Sequence, residues 1–278
     1  MFDRKFILCA DGFGLSSENN KAVLEGYVNG FLTCASLSVN TKYFDDAINN
    51  VLSDCQDLSV GICLNITRGN ALTDVPLLTD ESGAFNSGFT YLLKNKSAEL
   101  LGQIEQEFRA QIERFITYKK PIHINSLDDI HSIPHIFNLT AKLAKEYNIK
   151  FIRTHQEELY FIPKFSKHLN IKYFKNFAKF LLLKRFTQIN KLTAEKYQLR
   201  TNDFIIGVEY EDMMDFNAIE FGLKEISENG IIECVIHPKK YNNSIKDSHT
   251  KEFGITLDKN IEEHIMKSGF EVTNYNNL

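Results

Sequence analysis

The chain begins with the stretch Phe6-Ile7-Leu8-Cys9-Ala10-Asp11-Gly12-Phe13-Gly14-Leu15, an apolar run of strand length that ends in a carboxylate and two glycines. Serine, glutamate and asparagine follow at positions 16–20, where a helical pattern begins. This order predicts a first β-strand with Asp11 at its C-terminal end, where barrel enzymes place catalytic groups. The alternative is an aspartate that only holds a turn, as Asp-Gly pairs often do.

Composition indicates one globular domain. A chain of 278 residues with 43% hydrophobic content can bury a full core, and a net charge of −4 argues against a general nucleic-acid-binding protein. Five cysteines without a C-x-x-C pair predict reduced thiols in a cytoplasmic protein. No apolar stretch approaches the roughly 18 residues of a transmembrane helix, and residues 1–10 are too short for a secretory signal.

Eight strand-like runs alternate with helical patterns, which predicts parallel strands with helices outside them. A single α/β domain over 1–278 is therefore expected, as a TIM-like (β/α) barrel that is closed or incomplete; a doubly wound open sheet is the alternative. The predicted strands are 6–10, 35–39, 58–64, 122–125, 151–153, 204–208, 231–236 and 270–273. The predicted helices are 20–29, 44–53, 98–119, 136–147, 174–196, 216–228 and 261–267.

Two segments stand apart from this alternation. The stretch 68–89 contains Gly and Pro residues at intervals and is expected to be a long loop, either a binding loop or lid or a passive excursion. The stretch 164–191 carries eight Lys or Arg residues and no acidic residue, with Phe and Leu between them. It predicts a basic amphipathic helical hairpin within an insertion at about 164–200. This segment would contact anionic lipid or a phosphate-bearing substrate, or be an outer helix whose lysine stems cover its apolar stripe.

Polar residues follow most of the predicted strands, and the C-terminal ends of parallel strands share one face of a barrel. A cleft that collects carboxylates, histidines and an arginine suits hydrolysis of a polar substrate, with or without a metal ion. The segment 123–131 contains two His, two Asp and one Asn, which indicates either metal ligands or a solvated loop. His237 precedes Pro238, which holds the histidine backbone extended at a strand end. This histidine is either functional or structural.

In these segments, and over nearly its whole length, the chain resembles the YdjC-like carbohydrate deacetylases. The stretches that carry the resemblance are 10–15, 30–40, 60–64, 123–131, 134–137 and 236–238. The resemblance implies a (β/α) barrel-like fold, a divalent metal (zinc or magnesium) and removal of N-acetyl groups from amino sugars. Residues 174–208 are most similar to the branch that acts on lipid-associated substrates. A lipid-linked sugar substrate and peripheral membrane contact through 164–191 would suit that branch.

The metal motifs depart from the family pattern. The family has Ala-Asp-Asp-Phe-Gly at the first strand and Gly-x-His-Leu at the third, where this chain has Gly12 and Cys63 in place of the second Asp and the His. In the histidine-rich block, Asn125 replaces an Asp, and Leu127 and Asp129 replace histidines. The usual Asp-His-His metal triad is therefore not intact.

Residue by residue, the resemblance makes Asp11 the catalytic base and His237 the second catalytic residue. Three functions follow: an amino-sugar N-deacetylase, a non-catalytic sugar-binding descendant, or a metal-free hydrolase that uses Cys63. The substrate-binding candidates are Asn40, Asn65, Arg153 and Glu157. A replacement site for a softer ion such as zinc would use Cys63, His123, Asp128 and His131, with Asp129 as the alternative carboxylate. The other possibility is no metal at all.

Overall fold

The structure is a computed structural model that describes residues 4–167, 169–242 and 247–278. Each predicted strand overlaps an observed one, because each consists of apolar residues bounded by turn residues. The strands are β1 (Arg4–Phe13), β2 (Cys34–Leu37), β3 (Ser59–Leu64), β4 (His123–Ser126), β5 (Phe151–Ile152), β6 (Phe204–Ile206), β7 (Gly230–Ile236) and β8 (Glu271–Val272).

Helices follow the strands along the chain. They are α1 (Ser17–Val28), α2 (Phe44–Ala47), α3 (Phe89–Lys94), α4 (Ala98–Ile116), α5 (Pro134–Glu146), α6 (Ile171–Lys196), α7 (Phe216–Glu225), α8 (Ser248–Leu257) and α9 (Lys259–Lys267). Side-chain caps begin several of them: Ser16 accepts from the Asn19 N–H at the start of α1, and Ser97 accepts from the Leu100 N–H at the start of α4. Along the described ranges, no helix is both long and apolar enough to cross a membrane.

Three helical features differ from the prediction. The basic segment contains one helix of 26 residues rather than a hairpin, because neither Gly nor Pro interrupts Ile171–Lys196. Helices α3 and α8 were not predicted: α3 has only 6 residues, and α8 contains Gly254 and β-branched residues of low helix propensity. The interpretation of 164–200 as an insertion in a single domain stays a prediction.

The strands form one parallel sheet in the order β5-β4-β3-β2-β1-β7-β6, and β8 pairs with the beginning of β1. The sheet curls until its two edges meet. Phe151 pairs with Arg200, and the Ile205 N–H donates to the Gln156 carbonyl at 2.9 Å. The (β/α) barrel-like fold is thus confirmed, in an incomplete form whose edges are joined by a few hydrogen bonds and not by continuous strand pairing.

Side chains that point into the barrel form layers, because alternate residues of each strand face the same side. An apolar layer closes the N-terminal end of the barrel with Ile7, Phe151, Ile231 and Tyr275. Two residues further along β1 and β7, Cys9 and Glu233 belong to a polar group that we call the middle layer, together with Cys34 and His123. Above it, at the C-terminal end, lies the upper layer: Asp11, Ser36, Asn125 and Arg153.

Candidate functional site

A cleft of about 910 Å³ opens at the C-terminal ends of the strands. Asp11 from β1, Cys63 from β3 and His237 after β7 line it. The first residues of the predicted long loop, 68–72, form part of its wall, and the antiparallel bridge between Asn70 and Ala84 folds that loop back on itself. Residues that are far apart in the chain therefore meet at one face, as expected for a parallel barrel.

Asp11 is held by a buried arginine. Arg153 donates two hydrogen bonds to the Asp11 carboxylate, at 2.6 and 2.9 Å, and two to the Glu233 Oε1, at 2.7 and 3.2 Å. Burial raises the pKa of Asp11, but the Arg153 guanidinium outweighs this effect and the pKa lies below its ordinary value. Asp11 is therefore an ionised carboxylate at neutral pH, and Arg153 determines its orientation.

Asn125 completes this group without adding a charge. We assign its amide oxygen toward Arg153, because the amide nitrogen then donates to the Ile62 carbonyl at 3.1 Å and the oxygen accepts from the Ser36 hydroxyl at 3.2 Å. In the opposite orientation the oxygen would face only other acceptors. Asn125 therefore accepts from Arg153 without placing a third carboxylate beside Asp11 and Glu233, which already share this guanidinium.

His237 lies among carboxylates at the end of β7. Its backbone N–H donates to Glu252 at 2.6 Å, and its Nδ1 lies 3.7 Å from Asp212 and 3.9 Å from Glu252. Burial lowers the pKa of His237, but Glu252 and other nearby carboxylates outweigh it, so the pKa is raised. The imidazole keeps its proton to higher pH than usual, which suits a proton donor.

Lys179 also belongs to this site, although no motif in the sequence singles it out. Its Nζ lies 2.6 Å from Asp129 and 2.8 Å from Glu211, and it lines a small recess together with Asp11 and His237. Asp129 also accepts from His155 at 2.9 Å. The excess of basic residues in 164–191 was the available signal, but sequence alone does not show which of them face inward.

Other lysines of α6 also pair inward. Lys172 contacts Asp212 at 3.0 Å and Lys184 contacts Glu158 at 3.0 Å. Lys172 and Lys184 are therefore accounted for by the second interpretation of 164–191, an outer helix that packs on the barrel.

The structure does not bring the four predicted metal ligands together. His123 lies in the middle layer, with its Nε2 3.0 Å from the Ser36 hydroxyl. Asp128 pairs with Arg68 at the rim of the cleft at 2.6 Å. Its φ of 52° and that of Asp129, 54°, are left-handed, so the two neighbouring carboxylates leave β4 in a tight turn.

The remaining two predicted ligands are neutral groups in separate places. Burial, together with Asp11, raises the pKa of the Cys63 thiol. His131 lies 2.8 Å from the Ser126 hydroxyl and 3.2 Å from the Arg153 carbonyl. Burial and His155 lower its pKa to about 3.

The predicted substrate-binding residues fall into two groups. Asn40 and Asn65 line the cleft, and the Asn65 amide donates to the Asn40 side-chain oxygen at 3.0 Å. Arg153 and Glu157 are buried. Glu157 accepts from the backbone N–H groups of residues 207–209 at 2.7 to 3.2 Å, so it holds the turn after β6.

Comparison with known proteins gives the family. The family model described as "YdjC-like protein" matches residues 5–267. The chain belongs to the YdjC-like protein family. This confirms the resemblance found in the sequence.

Relatives of this YdjC-like protein include carbohydrate deacetylases. One from Brevibacillus brevis is 37% identical over 147 residues, which cover 52% of this chain and 57% of that protein. One from Clostridium beijerinckii is 35% identical over 56% of this chain and 63% of that protein. These matches span less than two thirds of the relatives. A carbohydrate deacetylase from Listeria monocytogenes is 24% identical over 99% of this chain and 100% of that protein.

A solved structure shares the fold. The crystal structure from Enterococcus faecalis V583, described as a cellobiose-phosphate cleavage protein, superposes with a TM-score of 0.76 at 22% identity. The match covers 99% of this chain and 98% of that one.

The residues at the family's metal positions do not fit a divalent ion. Gly12, Cys63 and Leu127 all line the cleft, and they offer no side chain, a buried neutral thiol and an alkyl group. The backbone at Gly12 has φ +87°, and a Cβ there would lie 3.0 Å from the Asn19 amide. An aspartate at position 12 would therefore be strained, so this YdjC-like protein is shaped for glycine where the family has a ligand.

Proposed function

We propose that this YdjC-like protein is a carbohydrate deacetylase that removes the acetyl group from an N-acetylated amino sugar bound in the cleft. The observation that carries the proposal is the placement of Asp11 and His237 at the ends of neighbouring strands, on one cleft of about 910 Å³. Family membership and the relatives named carbohydrate deacetylase support it.

The two residues have complementary protonation states. In the proposed reaction the ionised Asp11 takes a proton from a water molecule, whose oxygen attacks the acetyl carbonyl carbon. The C–N bond breaks as His237 donates its proton to the amine nitrogen, and acetate and the free amine leave. Arg153 fixes the Asp11 carboxylate during this step. Asn40 and Asn65, whose amides bond to each other and to the backbone of residues 68–70, shape the wall of the substrate cleft.

A second candidate function is carbohydrate binding without hydrolysis. The joint presence of Gly12, Cys63 and Leu127 favours it, because the cleft then lacks an electrophile to polarise the acetyl carbonyl. A hydrolase with Cys63 as its nucleophile has less support, since burial raises the pKa of this thiol and keeps it neutral.

Acetate release decides between these functions. The protein is incubated with N-acetylhexosamine substrates, free and lipid-linked, with a chelator and with added zinc or magnesium. The proposal expects acetate production that falls about 10²-fold or more in Asp11→Asn and His237→Gln and persists in Cys63→Ser. Sugar binding measured by calorimetry, with no acetate above the Asp11→Asn background, would establish the second candidate instead.

We further propose that the substrate is lipid-linked and that α6 touches the membrane. Ile171, Phe174 and Leu181 on α6 are 77%, 60% and 52% exposed, and Lys175 and Arg185 are exposed on the same helix. Apolar side chains beside basic ones suit the surface of an anionic bilayer.

Vesicle flotation tests the membrane contact. Vesicles with anionic lipid should carry the wild-type protein, and the double variant Phe174→Asp/Leu181→Asp should remain unbound. Val28→Asp changes an exposed valine at the end of α1 and is the matched control, which should float like the wild type. Equal flotation of all three proteins, or none, would contradict the proposal.

A further inference from the structure

We propose that the middle layer is a zinc site inside the barrel, separate from the cleft. Its four residues come from four different strands, β1, β2, β4 and β7. Their ligand atoms all lie within 4.8 Å of one another. All four residues are at most 1% exposed: Cys9, Cys34, His123 and Glu233.

The donor set matches the chemistry of zinc. Two thiols, an imidazole and a carboxylate are ligands that zinc takes in closed tetrahedral sites, with bonds of about 2.0–2.3 Å. Such bonds place neighbouring ligand atoms roughly 3.3–3.8 Å apart, and the Cys34 Sγ already lies 3.9 Å from the His123 Nδ1. Magnesium and calcium prefer oxygen ligands, so the two sulfur atoms argue against them.

Neighbouring groups orient each ligand. The Ser36 hydroxyl lies 3.0 Å from the His123 Nε2, which leaves Nδ1 for the metal. The Tyr275 hydroxyl donates to the Glu233 Oε2 at 3.0 Å. Such partners beyond the ligands hold metal sites in shape.

A glycine makes room for the histidine. A Cβ at Gly61 on β3 would lie 2.3 Å from atoms of the His123 ring, closer than any side chain allows. The imidazole therefore occupies space over β3 that only glycine leaves open.

The surrounding charge is compatible with a bound cation. Arg153 is shared between Asp11 and Glu233, so one guanidinium faces two carboxylates before either thiol ionises. It approaches from the upper layer, donating to Glu233 and to the Cys9 sulfur at 3.5 Å. A divalent ion bound by two thiolates adds two positive and two negative charges, so it leaves this balance unchanged while giving each thiolate a counterion in a low dielectric.

This site would have a structural role. Four protein ligands leave no open position for substrate, and the ion would link four strands of the sheet. Because Glu233 also holds Arg153, a filled site would fix the arginine that orients Asp11. The inference does not depend on the proposed deacetylase activity.

Metal analysis of the full chain tests this inference. The wild-type protein is refolded from denaturant with zinc, dialysed, and measured by mass spectrometry of the elements. We expect about one zinc per chain, and at least a tenfold loss of zinc in Cys9→Ser and Cys34→Ser. Cys63→Ser and Cys234→Ser change buried cysteines outside the middle layer and should retain the ion.

Cobalt substitution keeps the test valid if the serine variants do not fold. Refolding of the wild type with cobalt should give a thiolate-to-cobalt charge-transfer band with the intensity of two thiolates. No bound metal in the refolded wild type, or a cobalt spectrum without thiolate bands, would overturn the proposal. Loss of zinc in Cys63→Ser with retention in Cys34→Ser would also overturn it, since the ion would then lie in the cleft.

Discussion

Arg153 has the most constrained environment of the residues at the site. It is 2% exposed and lies between two carboxylates, Asp11 on the cleft side and Glu233 below. Neither carboxylate would tolerate burial without it, because an unpaired charge in the interior loses its hydration without compensation. The same guanidinium therefore stabilises the barrel and sets the charge of the candidate catalytic base.

Removal of this guanidinium should be strongly destabilising. For Arg153→Leu we expect a loss of about 3–5 kcal/mol in the free energy of unfolding, measured by urea denaturation, since two carboxylates are left without a counterion. Arg68→Leu is the control, because Arg68 pairs with Asp128 while its side chain is 63% exposed. It should lose less than about 1 kcal/mol, and equal losses in both variants would contradict the expectation.

The pKa of His237 is a second property of the site that can be measured. Its pKa is raised, so NMR titration should find it above the ordinary value of about 6.5. Stability from this group is full below the ordinary pKa and is lost as pH rises through the raised one. Acetate release should fall over the same pH range, as pH rises through the raised pKa, if His237 is the proton donor.

Glu252→Gln should lower the pKa of His237, because Glu252 is the strongest of the nearby charges that raise it. His135 serves as the internal reference, since burial lowers its pKa. The two histidines should therefore titrate in different ranges, and coincident titrations would refute this description of the site.

Among the elements, α6 has two different sides. One side of this helix packs on the barrel and sends Lys179 to Asp129 and Glu211, while the other exposes Phe174 and Leu181. This division explains why the helix has so many basic residues and so weak an apolar stripe. Burial lowers the pKa of Lys179, but Asp129 and Glu211 outweigh it, so the pKa is raised and the lysine stays charged in the site.

Lys179→Met should therefore separate the two sides of the helix. We expect a loss of about 1–3 kcal/mol in unfolding free energy, because Asp129 loses its closest cation. Lys175→Met, on the exposed side, should change it by less than about 0.5 kcal/mol. Thermal denaturation of both variants measures the difference, and the idea fails if Lys175→Met is the more damaging change.

For the whole molecule, closure of the barrel depends on a few polar contacts between the edge segments. Asn202 is 1% exposed; its side-chain oxygen accepts from the Thr154 N–H at 2.7 Å, and its amide donates to the Thr154 carbonyl at 2.8 Å. These bonds replace the strand pairing that a complete barrel would have between β5 and β6. They hold Arg153, the neighbour of Thr154, in position beneath the cleft.

Asn202→Ala should loosen this edge. The loss of both hydrogen bonds leaves buried backbone groups of Thr154 unpaired, at a cost of about 1–3 kcal/mol in unfolding free energy. Amide exchange should become faster for residues 152–156 than for β1. Asn138→Ala removes an exposed asparagine and should alter neither measurement; uniform acceleration in both variants would contradict a local role.

The strands, their parallel arrangement and the family could be predicted because they depend on local patterns. Apolar runs end in glycine or polar residues, and Asp11, Cys63 and His237 lie at or near the C-terminal ends of three of them. The departures at Gly12, Cys63 and Leu127 were also visible in the sequence, since a missing ligand is recognised from residue type alone. The cleft could be placed at the strand ends for the same reason.

The partners of each side chain required the folded structure. Cys34 and His123 are 89 residues apart in the chain yet 3.9 Å apart in space, and their approach depends on the register and curl of the sheet. Likewise, Arg153 faces Asp11 and Glu233 because the curl of the sheet brings the end of β5 across from β1 and β7, and Lys179 enters the site because of how α6 is rotated. Residue types can be read along the chain, but charge pairing and ligand geometry arise from long-range packing, which no local pattern encodes.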